Sequence, residues 1–194
     1  KRAFMRKLAE RGWLGMSWPK QYGGQERAGI YDFLLTEALS RFGAPQPGKG
    51  VGIVGKTIIR HGNEKMKQLF LPQIIRGEVE FAIGYSEPGA GSDAANMQLK
   101  ATRDDARGGW VLNGKKIFAS LSGSADYYGA LCTRRAGGED AMRRNTLYLG
   151  IPANAPGVSV TGDWDPLGMR GTVSRTLIFK DVFVPEDAAL MPPG

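Results

Sequence analysis

Two glycine-rich stretches of this sequence carry patterns associated with ligand binding. The first, "GVGIVGKT" from Gly50 to Thr57, fits the phosphate-loop pattern of glycine, four residues, glycine, lysine and threonine. Such a loop works when a buried strand delivers the chain to the turn and a long helix follows with its N-terminus on the anion. The upstream "RFGAPQPGKG" has two prolines and no β-branched run, so it reads as loop. Downstream, Gly62 stops "TIIRHGN" after about one turn of helix. Both flanks are missing. The spacing predicts one helix from about Pro47 to His61, with Val51, Val54 and Ile58 on one face and Lys56 on another.

The second stretch is "FAIGYSEPGAGSDAANM", in which Gly89, Gly91 and Ala94 satisfy the dinucleotide fingerprint in its G-x-G-x-x-A form. Only a few residues follow before strand-like "QLKATR", which leaves no room for a crossover helix. No acidic residue stands about twenty positions on to bind a ribose; Asp104 and Asp105 come earlier. The loop has two readings: a cradle of backbone N–H groups for an anion or polar ring edge, or a tight connection using glycine for positive φ. Of its carboxylates, Glu87 precedes Pro88, and Asp93 is the better placed to brace the turn by accepting N–H bonds. His61, the only histidine, sits at a helix end and fits a C-terminal helix residue. It has no second ligand nearby, so no metal site is expected.

The two halves of the chain have different periodicities. Up to about residue 80 the periodicity is helical. Phe4 and Leu8 share a face that Gly12 ends. In "AGIYDFLLTEALSRFG", Ile30, Leu34 and Ala38 form one stripe and Tyr31, Leu35 and Leu39 its neighbour, which predicts a well-buried helix. Asn63 is a candidate N-cap and Gly77 a candidate stop for "NEKMKQLFLPQIIRGE". From Phe81 the period shortens. "FAIGYS", "MQLKATR", "WVLNGKKIF", "YYGALCTRR", "TLYLGIP", "GVSVT" and "RTLIFKDVFVP" are short β-branched and aromatic segments separated by turn residues. Asn113-Gly114 carries a type I′ hairpin signal. The expected fold is therefore α+β: an α-helical domain over 1–80 and an all-β barrel or sandwich over 81–194.

Composition excludes several classes. The 194 residues are 42% hydrophobic and 23% charged, which is ordinary for a folded protein. No apolar stretch is long enough to span a membrane. The net charge of +7 comes from scattered basic residues. They form neither a stacking platform nor a recognition helix, so no nucleic-acid partner is expected. The densest basic group, around Glu139 and Asp140, reads as an exposed hairpin loop. A single cysteine, Cys132, forms no internal disulfide and fits a reducing cytosol. The sequence opens in the middle of a helical pattern, so its N-terminus is expected to be truncated.

"YSEPGAGSD" followed by "WVLNGKKIFAS" resembles the flavin-binding middle domain of the acyl-CoA dehydrogenase family. "GWLGMSWPKQYGG", "HGNEKMKQLFLPQIIRGE" and "LGMRGTVSRTLIFKDVFVP" are similar to other family segments in the same order, so the resemblance covers nearly the whole chain. It places Gly50–Thr57 in a helix near an acyl pocket. It implies FAD as cofactor, an acyl-CoA substrate, electron transfer to an electron-transferring flavoprotein, and a cytoplasmic homodimer or homotetramer working in fatty-acid metabolism. The reaction it implies removes the α-hydrogen as a proton to a glutamate and the β-hydrogen as hydride to the flavin. By position, Ile83, Tyr85, Ser86, Gly91 and Ser92 would lie along the flavin's pyrimidine edge, Tyr85 through its backbone and Ser86 through its hydroxyl. Ser92 would also reach toward the substrate. Phe118 would pack on the flavin ring, with Ala119 and Ser120 beside it and the Ser120 hydroxyl near N5. Ile83, Ser86, Phe118 and Ser120 stand where the family often has an aromatic, threonine, tryptophan and threonine, and "LSGSADYY" replaces a more usual Asn/Ser-Gly pair. The base would lie in a C-terminal helical domain beyond "LMPPG", so no catalytic residue is expected in this chain. The same fold also suits a flavin monooxygenase, or a binding subunit without a base.

Overall fold

The computed structural model describes residues 1–134 and 146–191, and these divide into two compact units, Lys1–Glu80 and Phe81–Gly194. The basic loop around Glu139 and Asp140 lies outside the described residues.

The first unit holds four α-helices among its described residues: α1 (Arg2–Glu10), α2 (Ile30–Arg41), α3 (Gly55–His61) and α4 (Glu64–Ile75). Asn63 caps α4 as the sequence predicts, its Oδ1 accepting the Met66 N–H at 2.9 Å. The same helix ends in a Schellman arrangement. Gly77, at φ 65°, donates to the Ile74 carbonyl, and Glu78 donates to that of Gln73. Met5, Leu8, Leu14 and Leu39 form one apolar cluster, and Trp18, Val54, Ile58, Met66, Phe70, Leu71 and Ile74 are buried.

Two expectations for this unit need correction. The predicted wide buried stripe of α2 is not buried: Ile30, Tyr31 and Leu34 are each between 44% and 54% exposed, Ala38 is exposed, Leu35 is half-buried, and only Leu39 is buried. Apolar periodicity reports that a face is fit for burial, not that the residues at hand cover it. The helix expected from Pro47 instead forms a π-helical turn over Gly50–Val54 that runs into α3. Gly50–Thr57 is thus a helical segment and not a phosphate cradle, and Lys56 Nζ stands 3.8 Å from Asp32 Oδ2. Gly55 is a glycine because the Trp18 indole occupies the space its side chain would need, whereas a Cβ on Gly52 would meet nothing within 4 Å.

The strands among the described residues of the second unit are β1 (Phe81–Gly84), β2 (Lys100–Asp104), β3 (Gly109–Ser120), β4 (Tyr127–Thr133), β5 (Thr146–Pro152), β6 (Val158–Thr161), β7 (Ser174–Pro185) and β8 (Ala189–Met191). They form one eight-stranded sheet in the order β6-β7-β3-β2-β4-β5-β8, with β1 paired to β4 off this path. A helical unit followed by a β unit is the class the sequence predicts. β8 is the strand the reading does not foresee, and the sheet is mixed because β4 runs parallel to both β1 and β2. These two use one edge of β4 in turn: Phe81–Gly84 pairs with Tyr127–Ala130, and Lys100 pairs with Thr133. The chain leaves that edge at Gly84 and returns to it at Lys100, about 10 Å along the strand. Everything between is the glycine loop.

Asn113-Gly114 does not turn a hairpin. It lies inside β3, at a register shift in the β3–β7 ladder. Asn113 and Asp181 hold the bulge from both sides, the Asn113 amide donating to Asp181 Oδ1 and accepting the Asp181 N–H, each at 3.0 Å. Gly114 has φ 145°, and a Cβ there would come within 3.0 Å of the Leu99 backbone. A hairpin turn and a bulge draw on the same Asn-Gly tolerance for positive φ, so the dipeptide alone does not separate them.

Gly55→Ala is expected to destabilise the protein by about 1–3 kcal/mol through overpacking against Trp18. Gly52→Ala, with open space and helical surroundings, should be neutral or stabilise by up to about 1 kcal/mol. Denaturant titration of the two variants checks this; equal effects would mean that the indole does not set the requirement.

Candidate functional site

The site is assembled by one side chain that sequence alternation places on the inner face of β3. Lys116 is fully buried at a position where a strand facing the core normally carries a hydrophobe. Its stem lies against Gly84, where a Cβ would come 3.2 Å from Lys116 Cγ. Its Nζ donates to Glu87 Oε1 at 2.8 Å and to the Tyr85 carbonyl at 3.1 Å. Glu87 is itself only 5% exposed. Its Oε1 also accepts the Leu99 N–H at 2.9 Å, and its Oε2 accepts the Gln98 N–H. Glu87 and Ala90 close the turn by exchanging backbone bonds. One carboxylate therefore joins the start of the loop to its end, and one ammonium joins both to β3.

Burial pulls the Lys116 ammonium below its ordinary range while the Glu87 hydrogen bond pushes it back up. The Cys132 thiol next to this pair is pushed up to about 12 by burial. Cys132 is therefore a core residue and not a nucleophile. Asp93 does not brace the turn as the sequence predicts: it is exposed and makes no side-chain cap bond, and Glu87 does the bracing. A carboxylate accepts loop N–H groups best where water does not compete, and Glu87 is the buried one of the two.

The structure brings together part of the predicted set. Ile83 is half-buried in β1 opposite Gly129. Tyr85 is 37% exposed and packs edge-on against Tyr148, with ring centroids 5.7 Å apart. Tyr148 is buried, which raises its phenol above the ordinary range. The Ser86 carbonyl accepts the Ile117 N–H at 2.9 Å, which sets the loop start directly beside Phe118. Phe118 is 64% exposed and has φ 56°, at a second register shift in the β3–β7 ladder. The bulge turns this aromatic out of the sheet into solvent, at a backbone conformation costly for a bulky residue. The Ala119 side chain is fully buried in the core, so only its backbone can face a ligand. The Ser120 hydroxyl lies 2.8 Å from that of Ser174.

Gly91 and Ser92 are exposed in the outer part of the loop, and no hydrogen bond joins Ser92 to Ser86 or Phe118 among the described residues. Neither Gly89 nor Gly91 has positive φ, and a Cβ on either would meet nothing within 4 Å. The tight-turn explanation of these glycines therefore fails. Their bareness answers no need of the chain itself and leaves the loop backbone open to close approach. Among the described residues no group of three His, Cys, Asp or Glu side chains could hold a metal ion, and no helix is long and apolar enough to cross a membrane.

The sequence sets Glu87 aside in favour of Asp93 and gives Lys116 no role. The available signal is a lysine two residues from Gly114 and four from Leu112 in strand alternation, together with a carboxylate in a loop that has no other use for it.

Residues 1–78 match the acyl-CoA dehydrogenase N-terminal domain and residues 82–182 the acyl-CoA dehydrogenase middle domain. Acyl-CoA dehydrogenase FadE26 of Mycobacterium tuberculosis is 38% identical over 176 residues, which cover 90% of this chain and 42% of that protein. The mitochondrial isovaleryl-CoA dehydrogenase of Pongo abelii is 33% identical, covering 95% of this chain and 44% of that protein. Among solved structures, the ChsE4–ChsE5 complex from Mycobacterium tuberculosis superposes with a TM-score of 0.89 at 34% identity, over 99% of this chain and 48% of that one. Butyryl-CoA dehydrogenase from Megasphaera elsdenii superposes with a TM-score of 0.82 at 27% identity, over 100% of this chain and 50% of that one. The chain thus spans about half the length of the proteins it matches, or less. With both of its units matched in order, the chain belongs to the acyl-CoA dehydrogenase family.

Proposed function

We propose that this chain contributes the flavin-binding face of an enzyme that oxidises an acyl-CoA thioester between its α and β carbons. The observation that carries the reading is the pairing of a bare, N–H-rich loop with an exposed aromatic turned out of β3. A polar heterocycle edge suits the first and an apolar ring face the second. FAD has both. Ile83, Tyr85, Ser86, Gly91 and Ser92 would hold its pyrimidine edge, and Phe118 with the Ala119 backbone and Ser120 would hold its ring. Ser92, in the open outer loop, would also meet the CoA portion of the substrate.

Bound FAD would accept the β-hydrogen as hydride while a base removes the α-proton. This chain's own residues hold and orient. The Phe118 ring excludes water from one face of the site, and the Ser86 N–H and hydroxyl stand ready to donate. Glu87 is committed to Lys116 and to two backbone N–H groups. A base must come within about 3 Å of the proton it takes, directly or through one water, so Glu87 is no candidate for that base. The reading extends to a homodimer or homotetramer in the cytosol that passes electrons to an electron-transferring flavoprotein. The buried free Cys132 fits a reducing compartment.

Anaerobic titration of the complete flavin-loaded protein with saturated acyl-CoA thioesters of graded length should bleach the visible flavin band. A protein that takes up no flavin would contradict the reading. So would one whose reduced flavin hydroxylates a substrate only when oxygen is present. In the 194-residue chain alone, FAD, acyl-CoA and an electron-accepting dye should give no dye reduction.

Phe118→Ala should weaken FAD retention by about 1 kcal/mol beyond the lost contact area, from lost aromatic stacking. Because the ring is exposed, folding stability should stay within about 0.5 kcal/mol. Unchanged flavin affinity and spectrum would remove Phe118 from the cofactor's neighbours.

A further inference from the structure

We propose that Lys116, anchored by Glu87, is the positioning residue of the flavin edge: it holds the Tyr85 carbonyl inward and thereby turns the Ser86 N–H outward as a donor. The inference rests on the FAD reading above and goes beyond it to a buried residue that touches no ligand.

The described chain has no cis peptide bond, so the carbonyl of Tyr85 and the N–H of Ser86 point in opposite directions from one plane. Lys116 Nζ lies 3.1 Å from that carbonyl, on the core side. The next carbonyl, that of Ser86, is held by the Ile117 N–H at 2.9 Å. Two successive carbonyls are thus taken by β3, one by a side chain and one by the backbone. Among the described residues, neither the Ser86 N–H nor its hydroxyl has an acceptor within the chain. A donor left over in this way is met by water or by a ligand.

The charge behind the peptide has a second effect. An ammonium on the Tyr85 oxygen polarises the amide and strengthens the hydrogen bond its N–H can give. Glu87 keeps the lysine charged and in place, since an unpaired ammonium at full burial would shed its proton or draw in water. Gly84 supplies the passage for the lysine stem, and the bareness of Gly89 and Gly91 leaves the approach from outside open. The ligand chemistry this peptide recognises is a hydrogen-bond acceptor on a planar ring edge, a ring carbonyl or an unprotonated ring nitrogen. Loss of Lys116 would free the Tyr85–Ser86 peptide to rotate, and the acceptor would lose its aligned partner.

Two variants of the complete protein separate positioning from folding. Lys116→Met alone leaves a buried carboxylate unpaired and should lower the melting temperature. Lys116→Met combined with Glu87→Gln removes both charges and should recover much of that loss. The double variant should nevertheless bind FAD about tenfold more weakly than wild type. It should also move the flavin carbonyl stretch of the bound cofactor to higher wavenumber, a signature that a merely structural role would not produce. A double variant with wild-type FAD affinity and an unshifted stretch overturns the positioning role and leaves the FAD reading standing. A wild-type protein that takes up no FAD overturns both. If neither variant folds, amide exchange on the wild type decides: Ser86 N–H should be protected only with FAD bound. Protection without FAD, or none with it, overturns the inference.

Discussion

A lysine ammonium with no exposure to solvent is the constraint from which the rest of the β unit follows. Removing one partner from such a pair costs about 3–5 kcal/mol, because the other is left charged and dry. The chain meets this by surrounding Lys116 with acceptors that all come from one loop: the Glu87 carboxylate and the Tyr85 carbonyl. Glu87 then takes the N–H groups of Gln98 and Leu99, which precede β2. The loop is therefore closed at its base by charge and hydrogen bonds, while its outer part, through Gly89, Gly91 and Ser92, carries no such duty.

That division explains how a long excursion with few apolar residues can present an ordered edge. β4 lends one side first to β1 and then to β2. Between them the buried pair closes the base of the loop, next to Cys132. On the other side of β3, the sheet disposes of a local misfit by a bulge that pushes Phe118 outward at φ 56°. A strained backbone carrying an exposed aromatic is a poor arrangement for stability alone, and such positions gather at functional sites. The ordered loop start and the turned-out ring are neighbours because the Ile117 N–H bonds the Ser86 carbonyl.

The division into helices and strands is legible in the sequence because its signals are local. Asn63 and Gly77 mark the ends of α4, and the change of period at Phe81 marks the sheet. Burial and pairing are less legible because they depend on what lies across from a residue. The apolar stripe of α2 looks like core, yet it stays exposed for want of a cover among the described residues. Asn113-Gly114 satisfies a hairpin rule, but Asp181 and Leu99, far away in sequence, make it a bulge. The candidate site divides in the same way. Tyr85, Ser86 and Phe118 stand in recognisable motifs and come together. Ala119 turns inward, Ser120 is tied to Ser174, and the bracing falls to Glu87 instead of Asp93. The pairing of Glu87 with Lys116 joins two motifs whose separation along the chain hides it.

Whether loop and sheet are tied through this pair is decided by a double-mutant cycle at Glu87 and Lys116, read by denaturant unfolding. If the pair is the tie between loop and sheet, Glu87→Gln and Lys116→Met should each be strongly destabilising. Together they should cost less than the sum of the two by at least about 1.5 kcal/mol. Two effects that simply add would show that the residues do not depend on each other, and the account of how this loop is held would be wrong.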